Sequence, residues 1–107
     1  MRSVKVYKRK RPAFDCRTAG SHWLKFKGIM LSSPQFKPLL FDFGARPNAI
    51  HSFFCPPFTA VWLDNRKRVL RVDRVAPWRI WVSCPNARYL IEAPSSNGVK
   101  AGDELSW

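Results

Sequence analysis

Short apolar stretches alternate with proline, glycine and polar turns along most of this chain. Stretches that alternate apolar and polar side chains are typical of strands with one covered face. The run FTAVWL at residues 58–63 is instead typical of a strand covered on both faces. The pattern predicts strands at residues 4–7, 38–43, 50–54, 58–63, 68–75 and 87–93, with a last extended segment at 104–107.

One segment, SHWLKFKGIM at residues 21–30, carries helical spacing instead. Trp23, Phe26 and Met30 recur on one face of a helix, and Ser21 can cap its start. An apolar stripe of this kind most often covers a core. The segment therefore predicts a short helix that lies against the sheet.

Many short strands with close turns predict a mainly β (α+β) fold. The expected form is a small antiparallel barrel-like or sandwich domain with one short helix near residues 21–30. A length of 107 residues predicts a single domain over residues 1–107. Residues 1–12 form its basic N-terminal strand or arm, and Pro12 either ends that strand or places it at a sheet edge.

The stretch IHSFFCPPFTAVWLD at residues 50–64 places a histidine and a cysteine among aromatic rings. On one continuous strand His51 and Cys55 would lie about 13 Å apart. The apolar surroundings disfavour the thiolate that a nucleophile needs. We therefore predict two strands joined by a rigid corner at Pro56-Pro57, with Cys55 as a packed filler and no catalytic residue.

The charge balance indicates a class of binding partner. The chain has 19 lysines and arginines and 7 acidic residues, which gives a net charge of +12. Such a field attracts polyanions, so nucleic acid is the leading partner. The same excess also fits a thermophilic protein kept soluble by its charge.

The candidate site consists of clustered basic residues and two tryptophans. Lysine and arginine contact phosphates, and exposed indole rings stack on bases at about 1–3 kcal/mol per base. The competing interpretation leaves the cations on solvated strand edges and the tryptophans in the core. The candidate nucleic-acid-binding residues are Lys8, Arg9, Lys10, Arg11, Arg66, Lys67, Arg68, Arg71, Arg79, Trp78 and Trp81, with Arg74 as an extension.

Other chemistry is thinly represented. Cys16, Cys55 and Cys84 are widely spaced with no CxxC pair, so reduced, buried thiols are expected. Two histidines and scattered acids show no ligand spacing, so neither a metal nor another cofactor is expected. Asp64 and Asp103 occupy turns, where aspartate bonds its own backbone. The strand acids Asp42, Asp73 and Glu92 stand near many arginines, and ion pairing is the simpler explanation for them.

The order of motifs resembles the domain of unknown function family number 192, over roughly residues 16–107. The motifs are KGIM at 27–30, LLFDF at 39–43, HSFF at 51–54, AVWLD at 60–64, RVL at 68–70, PW at 77–78, ARYLIEAP at 87–94, Gly98 and Gly102-Asp103.

The resemblance implies a compact, mostly β, barrel-like prokaryotic domain with a short helix, and no established activity. The chain departs from the family where Thr59 replaces a frequent aspartate, and where Cys55-Pro56-Pro57 replaces a polar Lys-Asn-Thr run. If those polar residues form a shared site, this chain has lost much of it.

The functional prediction is a binding or structural module, with polyanion binding as its leading form. A small-ligand or carbohydrate-binding module is the first alternative and a cysteine-dependent enzyme the second. Exposed rings of Trp78, Trp81 and Trp107 beside arginines would favour nucleic acid, whereas rings beside acids and amides would favour a sugar. No window approaches about 18 apolar residues and no secretory signal is present, so no membrane contact and a cytoplasmic monomer or weak homodimer are expected.

Overall fold

The computed structural model describes residues 3–19, 37–44, 57–76 and 84–107. Seven strands lie in this part of the chain: β1 (Ser3–Lys8), β2 (Arg11–Ala19), β3 (Leu39–Asp42), β4 (Phe58–Leu63), β5 (Val69–Val75), β6 (Tyr89–Ala93) and β7 (Leu105–Ser106). The predicted helix at 21–30 and the predicted strand at 50–54, with its proline corner, lie outside the described residues.

The strands form one sheet in the order β5-β4-β6-β3-β2-β1-β7. Neighbouring strands are antiparallel except β2 and β3, which are parallel, so the sheet is mixed. It curls into a half-barrel, and its two edges meet at one place. There Arg68 bridges Glu104, and the Leu105 amide donates to the Lys67 carbonyl at 3.0 Å. The predicted mainly β, barrel-like fold is confirmed.

Strand β2 is the element that the sequence interpretation missed. Pro12 was expected to end the strand or to mark a sheet edge, yet β2 runs from Arg11 to Ala19 between β1 and β3. The register shifts between Val6 and Tyr7, and Tyr7 then lies opposite Pro12. Such an irregularity accommodates a residue that has no amide hydrogen for the ladder. The basic N-terminal segment is therefore one arm of a hairpin.

Apolar side chains cover both faces of the sheet. All seven strands contribute to the barrel cluster, which marks the inside of the curl. It comprises Val6, Phe14, Cys16, Leu40, Val61, Leu63, Val69, Ile91, Ala93, Val99 and Leu105. The opposite face carries the outer cluster of Leu39, Phe41, Phe43, Phe58, Ala60, Trp62, Val75, Cys84, Ala87 and Leu90. All six residues of β4 are buried, as its continuous apolar run predicts.

The two hairpin turns next to β7 have distinct local causes. Arg9 and Lys10 both have positive φ, 51° and 68°, which matches the twist of a tight two-residue hairpin turn. In the turn between β4 and β5, Asp64 Oδ1 accepts hydrogen bonds from the amides of Arg66 at 2.8 Å and Arg68 at 3.0 Å. The prediction that Asp64 bonds its own turn is confirmed.

Candidate functional site

The sheet brings the two basic segments of the sequence to opposite flanks of β7. On one side Lys8 pairs with Leu105, just before the turn at Arg9 and Lys10. On the other side Arg68 bridges Glu104. Because neighbouring strands lie about 4.8 Å apart, the two segments are separated by roughly 10 Å across β7. We call residues 8–11 and 66–68 the basic flanks.

Most cationic groups of the basic flanks face solvent. The exposed members are Arg9, Lys10, Arg11, Arg66 and Arg68. A groove of about 450 Å³ lies beside Lys8 and Arg9 and is lined across from them by residues 102–106. The described cations that the sequence analysis grouped together therefore lie on the two sides of β7, apart from Arg71 on β5.

Lys8 is less available than its neighbours, because its ammonium group lies 2.9 Å from Asp103 Oδ2 and 3.2 Å from the Gly98 carbonyl. The Lys100 amide also donates to Asp103 Oδ2, at 2.9 Å. This amide and then the Lys8 ammonium lower the pKa of Asp103. Exposed Glu104 adds a second acid between the flanks.

Lys67 lies against an aromatic pair. Its Nζ is 4.3 Å from the centre of the Trp107 ring and 3.0 Å from the Trp107 main-chain oxygen. The Trp107 ring meets Tyr89 edge to face at 5.0 Å, and the Arg88 guanidinium lies 5.1 Å from the Tyr89 ring. Trp107 is half-buried, so the Lys67 ammonium group and a partly accessible indole ring lie side by side at one of the basic flanks.

The remaining members of the predicted site do not join this surface. Arg71 lies on β5 opposite Trp62, and its Nε donates to Asp73 Oδ2 at 2.7 Å. Arg74 donates to Thr59 Oγ1 at 3.1 Å and to the Pro94 carbonyl at 2.8 Å. The ion pair holds Arg71 to a residue of its own strand, and the hydrogen bonds hold Arg74 to β4 and to the residue after β6. Trp78, Arg79 and Trp81 lie outside the described residues.

The ion pair predicted for Glu92 is not found among the described residues. Among the described residues Glu92 has no salt bridge or hydrogen-bond partner, and its side chain is only 5% exposed. Burial raises its pKa from 4.5 to about 8. The ion-pair interpretation does hold for Asp42, whose Oδ1 lies 3.2 Å from Arg88 Nε, and for Asp73 with Arg71. Glu92 is therefore a neutral acid at pH 7, placed on an apolar face.

The strand register shows what lies beside Glu92. Ala60 of β4 and Leu39 of β3 are its direct neighbours, and beyond them lie Asp73 of β5 and Arg17 of β2. Residues paired in this way project from the same face. The Arg17 Nε is buried and has no hydrogen-bond partner. No pattern in the sequence indicates this row, because it depends on pairing between strands far apart in the chain.

The described cysteines are poor nucleophiles. Cys16 is fully buried, and burial, followed by the negative charge of Asp15, raises its pKa to about 12. Burial likewise raises the pKa of Cys84. Both are free thiols, as expected. Because the reactive form is the thiolate, neither has the environment of a catalytic cysteine. Cys55 and His51 lie outside the described residues.

This environment predicts slow alkylation. In the folded protein at pH 7.5, iodoacetamide should label Cys16 and Cys84 at least tenfold more slowly than in the urea-unfolded chain. Mass mapping of each cysteine-containing peptide over time measures this. Rapid labelling of Cys16 in the folded protein would contradict its burial in the barrel cluster.

Within the described residues, no group of three histidine, cysteine or acidic side chains is placed to hold a metal ion. In the same part of the chain, no helix has the length and apolar character needed to cross a membrane.

Known proteins resemble this chain in both sequence and fold. A UPF0127 protein of Pyrococcus horikoshii is 32% identical over 102 residues, which cover 87% of this chain and 87% of that protein. The chain belongs to the UPF0127 family. A UPF0127 protein of Pyrococcus abyssi is 36% identical over 75% of this chain and 74% of its own length. A Thermococcus gammatolerans member is 36% identical, and this UPF0127 chain spans 60% of its length. No family model matches the chain.

Two solved structures share the fold. A protein of unknown function from Novosphingobium aromaticivorans superposes with a TM-score of 0.76 at 16% identity, over 98% of this UPF0127 chain and 84% of that chain. A Sinorhizobium meliloti protein, provisionally described as a transcription regulator, superposes with a TM-score of 0.79 at 18% identity, over 97% and 91%. At these identities the likeness concerns the fold alone. The UPF0127 relatives come from archaeal thermophiles, which agrees with the predicted thermophilic and prokaryotic character.

Proposed function

We propose that this UPF0127 protein binds a polyanion, with nucleic acid as the leading class, through the basic flanks of β7. The observation that carries the proposal is the placement of two sequence-distant basic segments on either side of one short strand. Electrostatic attraction of this kind supplies most of the affinity for a phosphate backbone.

The charges between the flanks indicate which residues would contact a bound phosphate backbone. Asp103 neutralises Lys8, and exposed Glu104 repels phosphate from the strand itself. The contacts are therefore expected at the two turns, through Arg9 and Lys10 on one flank and Arg66 and Arg68 on the other. Phosphates in one nucleic-acid strand are close enough together to reach both turns across a gap of about 10 Å.

Trp107 adds an aromatic element to this surface. Its half-buried ring lies beside a lysine, and a ring next to cations favours nucleic acid over a sugar. The carbohydrate-binding alternative would need rings next to acids and amides. The Sinorhizobium meliloti protein, which shares this fold, is provisionally described as a transcription regulator, and that description is consistent with nucleic-acid binding.

Several finer predictions accompany this proposal. We keep the resemblance to the domain of unknown function family number 192 as a family hypothesis beside the UPF0127 assignment. A cytoplasmic location and a monomeric or weakly dimeric state follow from the sequence analysis. A small-ligand or carbohydrate-binding module stays the alternative to polyanion binding. A cysteine-dependent enzyme is disfavoured at Cys16 and Cys84 by their raised pKa.

Salt dependence of oligonucleotide binding tests the proposal. We expect binding to random duplex DNA at low salt, with log affinity falling against log salt by about 0.9 for each phosphate contacted. The double variant Arg66→Gln/Arg68→Gln should reduce that slope by about 1 to 2, because it removes up to two contacts. Fluorescence anisotropy of labelled duplex and single-stranded oligonucleotides, over a series of salt concentrations, measures both.

A variant with the same loss of charge separates a site from a general field. Lys5→Gln/Lys37→Gln removes two exposed lysines that are not part of the basic flanks. It should leave the slope unchanged. Equal effects of both double variants, or no binding of the unmodified protein at low salt, would rule out a site at the basic flanks.

A further inference from the structure

A second groove, of about 520 Å³, shares Lys8 and Arg9 with the groove that lies beside β7. Its other lining residues are 11–13 of β2 and 97–98 of the loop after β6. We call it the hairpin groove, because most of its lining comes from the β1–β2 hairpin. Sites for small ligands have volumes of about 300–1,000 Å³. The hairpin groove therefore has room for a small ligand.

The register of the hairpin brings its cations to this groove. Lys8 and Arg11 are direct cross-strand partners on either side of the two-residue turn. Directly opposed residues of an antiparallel pair project from the same face, with their Cβ atoms about 5 Å apart. Arg9 reaches the groove from the turn itself. Three cationic side chains from one short segment therefore line a single groove.

The loop that forms the other wall is held to the hairpin by hydrogen bonds. Asn97 Nδ2 donates to the Ala13 carbonyl at 2.7 Å, and Asn97 Oδ1 accepts from the Ser95 hydroxyl at 2.6 Å. Lys8 Nζ donates to the Gly98 carbonyl at 3.2 Å. Because these hydrogen bonds fix the loop against the hairpin, the groove is formed before a ligand enters, and binding requires little reorganisation.

The charges that line the two grooves differ. The groove beside β7 has Lys8 and Arg9 together with the acids Asp103 and Glu104, so its lining charges cancel. The hairpin groove has both cations and Arg11, and no acidic side chain of the described residues lines it. Asp103 offsets the charge of Lys8, whereas Arg9 and Arg11 form no salt bridge with a described acid. Two exposed guanidinium groups therefore remain for an anion in the hairpin groove.

We propose that the hairpin groove binds a small ligand with two or three linked phosphate groups, held by Arg9 and Arg11. A guanidinium group presents its N–H donors in a planar fork that matches phosphate oxygens. Linked phosphates also concentrate more negative charge in a small volume than a nucleic-acid backbone, which carries one charge per phosphate. Pro12 and Ala13 line the same groove and offer a surface to the rest of the ligand. Binding of this kind goes beyond the proposed function, because it requires neither a nucleic-acid strand nor the flank at residues 66–68.

Isothermal titration of the intact protein with sodium pyrophosphate, at roughly 0.1 M salt and without divalent cations, tests this site. Pyrophosphate should bind about tenfold more tightly than orthophosphate, sulfate or an unphosphorylated dinucleotide, because it alone offers a charged phosphate group to each arginine. ADP, which contains the same diphosphate, distinguishes the source of the phosphates. Tighter binding of ADP than of pyrophosphate assigns the site to nucleotides, and otherwise the ligand is an inorganic oligophosphate.

Single substitutions identify the contacts. Arg9→Gln and Arg11→Gln should each weaken pyrophosphate binding about tenfold, because each removes one charge-assisted contact. Lys5→Gln removes an equal charge from an exposed position of β1 that lies outside the groove, about 10 Å along the strand from Lys8. Exposed charges at this separation are largely screened, so the affinity should change by less than about twofold. Circular dichroism confirms that each variant folds.

Several results would rule out the hairpin groove as a phosphate site. Pyrophosphate would fail to bind, orthophosphate or sulfate would bind equally well, or Arg11→Gln would keep the full affinity. Equal losses of affinity in Lys5→Gln and Arg11→Gln would show a general effect of charge and would also rule it out. The oligonucleotide measurements depend on Arg66 and Arg68, which do not line the hairpin groove, so the two proposals fail separately.

Discussion

Replacing Glu92 with glutamine should stabilise the folded protein at pH 7 by as much as about 3 kcal/mol. The folded chain holds the Glu92 side chain as a neutral acid, since burial raises its pKa from 4.5 to about 8. The unfolded chain ionises it freely near its ordinary pKa. At pH 7 unfolding therefore releases a proton and is favoured by that release. Glutamine keeps the shape of the side chain and removes this linkage.

The direction of this pKa shift gives the folding stability a distinct dependence on pH. Because the folded pKa lies above the unfolded one, the Glu92 contribution is most favourable below about pH 4.5 and is lost as pH rises towards 8. The unmodified protein should lose stability across this window relative to Glu92→Gln. Urea unfolding at a series of pH values measures the difference, and a Tm increase on the order of 10 °C should accompany it at pH 7.

Glu104→Gln is the control for this prediction, because Glu104 is exposed and should change stability by less than about 0.5 kcal/mol. Parallel stability profiles for the unmodified protein and Glu92→Gln would show that Glu92 is ionised or paired in the folded state.

Truncating Trp62 to alanine should destabilise the protein by about 3–5 kcal/mol. Trp62 is fully buried in the outer cluster, where its ring lies 6.5 Å from that of Phe43. Its Nε1 also donates to Asp73 Oδ2 at 3.2 Å, so the variant loses packing, creates a cavity and removes a hydrogen bond. Urea or thermal unfolding followed by circular dichroism measures the change.

Two further variants keep the Trp62 prediction informative if Trp62→Ala fails to fold. Trp62→Phe retains most of the packing and loses the hydrogen bond, so about 1–2 kcal/mol is expected. Leu70→Ala, at a side chain that is 36% exposed, should cost clearly less than Trp62→Ala. Equal losses of unfolding free energy in Trp62→Ala and Leu70→Ala would contradict the burial of Trp62 in the outer cluster.

Local pattern predicted the strands whose side chains have one clear environment. The continuous run of β4 and the shorter apolar stretches of β5 and β6 appear in the structure as strands at nearly the predicted bounds. Strand β2 escaped prediction because proline commonly breaks strands, although a register shift in the β1–β2 pair, which leaves Ala13 of β2 without a partner in the ladder, accommodates Pro12. The parallel pairing of β2 with β3 was equally invisible, since nothing local distinguishes it from an antiparallel pair.

Composition and spacing determined the fold class, the excess of positive charge and the turn at Asp64, because each depends on residues close together in the chain. Only the tertiary structure decided that the two basic segments flank β7, and that Glu92 and Arg17 lie on either side of Leu39. These placements depend on strand order and register. Both are set by the packing of the whole sheet, which joins side chains from distant parts of the sequence.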